Sequence, residues 1–88
     1  MIYAVDYSSK AIRALEKIDR PSRSAIRDWI KINLVGCDNP RLRGKALSGP
    51  LGDLWRYRIG DYRIIAEIKD ANVTILIVDV GHRRYIYK

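Results

Sequence analysis

Eighty-eight residues, 48% of them hydrophobic and 31% charged, suit one soluble globular domain, 1–88, with a single modest core. Seventeen Lys and Arg against ten Asp and Glu leave a formal charge of +7, which calls for a polyanion, an acidic protein partner, or both. One cysteine and one histidine rule out an internal disulfide and a metal-ligand set, and no apolar run reaches membrane-span length.

In chain order, Ile2 to Tyr7 reads as a short strand that begins at once, without a signal peptide, so the chain is expected in the cytoplasm. Ser8 or Ser9 offers an N-cap for a helix through about Ile18, with Ala11, Ile12, Ala14, Leu15 and Ile18 on its apolar side. Asp19-Arg20-Pro21 breaks the chain, and Pro21 suits the first turn of a second helix. That helix is expected to bury Ala25, Ile26, Trp29 and Ile30 and to stop near Gly36. The pair reads as an antiparallel helical hairpin covering one face of a sheet.

Cys37 to Gly52 is rich in turn residues and basic through Arg41, Arg43 and Lys45, and reads as a partly ordered loop. Leu54–Ile59 and Tyr62–Ile68 then alternate as strands around Gly60-Asp61, a pair suited to a two-residue hairpin turn. That loop fixes the register. Trp55, Tyr57, Ile59, Tyr62, Ile64 and Ala66 share an apolar and aromatic face, which with Trp29 forms the expected core. The other face carries Arg56, Arg58, Arg63 and Ile65, with Arg58 directly across from Arg63. Opposed like charges cost stability in a sheet, and a phosphate held between the guanidinium forks would offset that cost. The bland alternative is a solvated face whose arginines fan apart. Lys69–Asn72 reads as a second turn, and Val73–Val80, apolar on both faces for most of its length, as a central strand. The fold expected is α+β in the order β-α-α-β-β-β, a small, largely antiparallel sheet with an N-terminal helical hairpin on one face. Which later strand the first one pairs with is left open.

Gly44-Lys45-Ala46-Leu47, the run from Leu54 to Arg63, Val80-Gly81-His82-Arg83-Arg84 and Tyr87 together resemble the RelE toxins of the RelE/ParE superfamily over nearly the whole chain. The resemblance implies a toxin of a type II toxin–antitoxin system, held inactive by a cognate antitoxin with an acidic or amphipathic wrapping segment. Freed, such a toxin enters the ribosomal 30S A site and acts as a metal-independent endoribonuclease, an mRNA interferase. The ribose 2′-hydroxyl attacks the adjacent phosphate to leave a 2′,3′-cyclic phosphate and a 5′-hydroxyl, with no cofactor. Operator DNA is implied as a partner only through the antitoxin complex.

By position the resemblance assigns Arg63 to the phosphate, Arg83 to the transition state or leaving group, and Tyr87 to stacking on or orienting the substrate. Arg56 and Arg58 match a basic pair where lysines often stand, Lys45 matches a basic or glutamate position, and Arg84 adds a phosphate contact. Guanidinium stays protonated at working pH, so Arg56 and Arg58 are poor bases. His82 is the candidate base in their place, because imidazole titrates near neutrality. Glu67 shares the basic face but lies far along the strand from Arg63, and simple charge balance accounts for it. The alternatives are a ParE-like toxin that binds DNA gyrase and a non-catalytic nucleic-acid or ribosome-binding module whose arginines contact only phosphates.

Overall fold

The protein is described from a computed structural model over residues 1–47 and 54–84. Its elements run β1 (Ala4–Tyr7), α1 (Ser9–Glu16), α2 (Arg20–Asn33), β2 (Lys45–Ala46), β3 (Trp55–Ile59), β4 (Tyr62–Lys69) and β5 (Thr74–His82), with a 3₁₀ turn at Asp70–Asn72. One five-stranded sheet has the order β1-β5-β4-β3-β2. All neighbours are antiparallel except β1 and β5, which run parallel. The first strand therefore pairs with β5, and the apolar run Val73–Val80 lies mid-sheet as expected.

Capping fixes both helices. Ser8 Oγ accepts the Ala11 N–H at 3.0 Å and donates to the Val78 carbonyl at 3.0 Å, so one hydroxyl starts α1 and ties it to β5. Asp19 Oδ2 accepts the Ser22 N–H at 3.1 Å, and Pro21 sits in the first turn of α2. Helix α1 ends at Glu16, one half-turn earlier than its apolar pattern suggests, because Lys17 N–H already turns back to the Ala14 carbonyl. Ala11, Leu15, Ile26, Ile30 and Leu34 from the helices meet Tyr57, Ile64, Ala66, Ile75, Ile77 and Val80 from the sheet in one core. Two expected apolar positions fall outside it: Ala25 and Ile12 are exposed. Trp29, Trp55 and Tyr62 pack at the margin of the core, while Tyr57 is fully buried.

Two features depart from the sequence reading. A β-bulge interrupts the pairing of β4 and β5: Ile65 lies opposite Asp79 but Ala66 opposite Ile77, leaving Val78 as the extra residue. Inward positions on β5 are thus Ile75 and Ile77, then Val80, a step of three where a regular strand steps by two. The second departure is the basic loop after α2, which is anchored up to Leu47 and contributes β2. Tyr57 Oη donates to the Pro40 carbonyl at 2.5 Å, and Trp55 Nε1 donates to the Arg43 carbonyl at 2.7 Å. Arg41 grips Asp70 with both terminal nitrogens, at 3.0 and 2.8 Å, and Tyr3 Oη donates to the same carboxylate at 2.7 Å. The part of the expected loop at 48–53 lies outside the described residues.

Gly44 closes this loop onto β3. Its φ is +80°, and a Cβ there would meet the Arg56 carbonyl oxygen at 2.2 Å and Trp55 Nε1 at 2.7 Å. Gly60 in the β3–β4 turn also has positive φ, +55°, but opens onto empty space. Gly44→Ala therefore combines backbone strain with a backbone clash and should cost about 3 kcal/mol, whereas Gly60→Ala should cost about 1 kcal/mol. Denaturant midpoints of the two variants check the difference.

The hydrogen bonds from Arg41 and then from Tyr3 pull the Asp70 carboxyl down to about 2 from its ordinary 3.8. A lowered folded-state value means that this carboxylate adds stability above about pH 4 and loses it as pH falls toward 2. Thermal midpoints of wild type and Asp70→Asn should differ at neutral pH and converge by about pH 2. A gap that stays constant with pH would mean that ionisation of Asp70 adds no stability.

Candidate nucleic-acid interface

The register places the cations. Arg58 lies across from Arg63 and Lys45 across from Arg56, as the alternation around Gly60-Asp61 requires and as the extra strand β2 extends. Directly opposed residues share a face, so all four belong to the sheet face turned away from the helices. Arg63 is in turn opposite Gly81 on β5, which leaves its third-strand neighbour without a side chain. Among the described residues, none of these four cations forms an ion pair with a carboxylate. Glu67 stands on the same face, but four residues from Arg63, about 13 Å along the strand.

The opposed arginines do not stand equivalent. Arg58 is exposed, whereas Arg63 is only 8% exposed and folds toward the turn, where Nη1 donates to the Gly60 and Tyr62 carbonyls at 3.1 Å each. Carbonyl dipoles thereby take up part of the like-charge cost, and one guanidinium is fixed before any ligand arrives. The same turn holds Arg83. Its N–H donates to the Asp61 carbonyl at 2.8 Å, and its Nε lies 3.8 Å from the Asp61 carboxylate. Asp61 enters the sequence reading only as a turn residue; its tie to Arg83 follows from the β4–β5 pairing that carries Tyr62 to His82. Arg58 and Arg63 are thus brought to the turn end of one sheet face with Arg56 and Lys45 farther along it, while Arg83 meets the turn itself and Arg84 follows in the next turn position.

His82 is placed differently. It pairs with Tyr62, on the helix side, and meets that ring edge-on with centroids 5.7 Å apart. Its Nδ1 accepts the Arg84 N–H at 3.2 Å. With Tyr62, Val80 and the α1 residues Lys10, Arg13 and Lys17 it lines an open cavity of about 640 Å³ between α1 and the end of β5. Lys10 reaches across to Asp79 at 3.3 Å. The structure thus separates His82 from the arginines to which the sequence joins it. Tyr87 and Tyr85 lie outside the described residues.

Comparison with known proteins identifies the family and the fold. A model of the family described as "ParE toxin of type II toxin-antitoxin system, parDE" matches residues 5–87. Toxin RelG of Mycobacterium tuberculosis is 31% identical over 88 residues, covering 100% of this chain and 99% of that protein. The mRNA interferase toxin RelE of Escherichia coli is 26% identical over 86 residues, covering 94% and 85% of the two chains. Among solved structures, the toxin–antitoxin complex RelBE2 of Mycobacterium tuberculosis superposes with a TM-score of 0.85 at 29% identity, over 94% of this chain and 93% of that one. The isolated Escherichia coli RelE toxin gives 0.72 at 20% identity over 91% and 83%, a likeness of fold. No helix among the described residues is long and apolar enough to cross a membrane. With a family match across almost the full length, a full-length toxin relative and the RelE fold, the chain belongs to the RelE/ParE superfamily of toxins of type II toxin–antitoxin systems.

Proposed function

We propose that this toxin is a ribosome-dependent mRNA interferase, cleaving the message in the A site. The observation that carries the reading is the opposed pair Arg58–Arg63 on one sheet face, with both Arg63 and Arg83 pinned to the Gly60–Tyr62 turn. A relative 26% identical is named as an mRNA interferase, which supports the same reading.

The chemistry asks little beyond positioned positive charge. The substrate supplies its own nucleophile: the 2′-hydroxyl gives its proton to solvent as its oxygen bonds to phosphorus, the bond from phosphorus to the 5′-oxygen breaks, and that oxygen takes up a proton from solvent, so the two transfers cancel. Negative charge grows on the non-bridging oxygens, and donors already fixed in place stabilise it without reorganisation. Arg63, buried and held by two carbonyls, is the pre-set fork for those oxygens. Arg83 approaches from the neighbouring strand end and serves the transition state or leaving oxygen. Lys45, Arg56, Arg58 and Arg84 bind the flanking phosphates, and Tyr87 is assigned to stacking on the substrate. His82 receives no proton-transfer role. Its Nδ1 takes the Arg84 N–H, and its ring packs on Tyr62 on the helix side.

A cognate antitoxin is the second part of the proposal. The matched RelBE2 structure is a toxin–antitoxin complex, and a chain of charge +7 suits an acidic or amphipathic segment that orders as it wraps the toxin. Operator DNA is then met only through that complex, and the site of action is the cytoplasm, where the ribosomes are. A second reading has one observation in its favour: the matching family model is described as ParE, and under that reading the toxin binds DNA gyrase.

Primer extension on a message translated in a purified bacterial system separates the two. The wild-type chain should cut at A-site codons only with ribosomes present, and Arg63→Ala and Arg83→Ala should each lose about 100-fold or more in rate. An intact message alongside growth arrest and inhibited gyrase supercoiling would replace this reading with the second. Arg58→Ala should weaken binding to single-stranded RNA and lower the slope of log affinity against log salt by about 0.7.

A further inference from the structure

Beyond His82 the ladder with β4 ends, so the N–H groups of Arg83 and Arg84 have no strand partner. Each is taken by something else. The Arg83 N–H goes to the Asp61 carbonyl at 2.8 Å, and the Arg84 N–H goes to the imidazole Nδ1 of His82 at 3.2 Å. A side-chain acceptor bonded to the backbone N–H two residues on is the geometry that Asp and Asn adopt in an Asx-turn. Here histidine occupies the role. Its ring is braced edge-on by Tyr62, whose hydroxyl lies 3.4 Å from the carboxylate of Asp19 at the start of α2.

From this geometry we infer that His82 is a positioning residue: its Nδ1 holds the turn that presents Arg83 to the substrate phosphate. The inference rests on the nuclease reading for its consequence but not for its geometry. Arg83 sits on a turn with its side chain half exposed, so the direction of that side chain depends on how the backbone beneath it is held. A displacement of about 1 Å at such a group is enough to cost about 100-fold in rate. The role also accounts for the half-buried placement of His82 against Tyr62 on the helix side, away from the face that carries Arg58 and Arg63.

Three substitutions separate this role from proton transfer. Asparagine places its amide oxygen near the position of Nδ1 and restores an Asx-turn, but it cannot act as a base. Glutamine places its oxygen nearer Nε2, and alanine removes the acceptor. In the ribosome-dependent cleavage assay, His82→Asn should keep the rate within about threefold of wild type, whereas His82→Gln and His82→Ala should each fall at least about tenfold. Amide hydrogen exchange at Arg84, read by NMR on the full chain, should accelerate about tenfold in His82→Ala and His82→Gln and stay near wild type in His82→Asn. An inactive His82→Asn with a protected Arg84 amide would overturn the inference and return His82 to proton transfer. An Arg84 amide equally protected in His82→Ala would overturn it as well. Should the wild-type chain not cleave RNA at all, the nuclease reading fails, and the exchange measurement still decides whether His82 holds the turn.

Discussion

The Gly60-Asp61 turn is the constraint on which the site depends. A two-residue hairpin loop allows one register, and that register decides at once which side chains enter the core and which face away. A slip by one residue would turn Tyr57, Ile64 and Ala66, all fully buried, to the open face and bring the arginines against the helices. Full burial of an apolar side chain the size of Ile contributes about 2 kcal/mol, so the core enforces the register by far more than one opposed arginine pair costs. The fold can therefore hold Arg58 against Arg63. The turn then relieves part of the repulsion itself, by taking one of the two guanidinium groups onto its own carbonyls.

Much of this is legible in the sequence because local chemistry and tertiary demand agree. Ser8, Asp19 and Pro21 start helices where such residues start them in general, and the alternation from Trp55 to Ala66 has one plausible turn in its middle. The doubly apolar run ending at Val80 lies mid-sheet for the reason expected, a neighbour on each side. The match between Arg58 and Arg63 needs no structure at all, only the parity of a strand.

What the sequence hides is parity broken without a marker. Counting by twos from Ile75 and Ile77 puts His82 on the arginine face, and the extra residue at Val78 reverses that. No glycine or proline marks the bulge. Its partner is the entry to α1, where Ser8 takes the Val78 carbonyl, a contact between residues seventy apart. The loop order is hidden for the same reason: Arg41 with Asp70, and Tyr57 with Pro40, are pairings that composition does not announce. Turn-rich sequence reads as loose until its distant partners are known. The fold-back of Arg63 is also invisible beforehand, since alternation gives the face of a side chain and not the direction in which a long one bends.

Under the proposed nuclease function, catalysis takes place on the sheet face turned away from the helices, at the turn, with the helix-side cavity beside His82 outside the reaction. Determining the structure of the ribosome-bound toxin with a message carrying 2′-deoxyribose at the cleaved position tests this most directly. The scissile phosphate should lie between Arg63 and Arg83, with flanking phosphates toward Arg58 and Arg56. A phosphate seated instead in the cavity among Lys10, Arg13 and His82 would contradict the account.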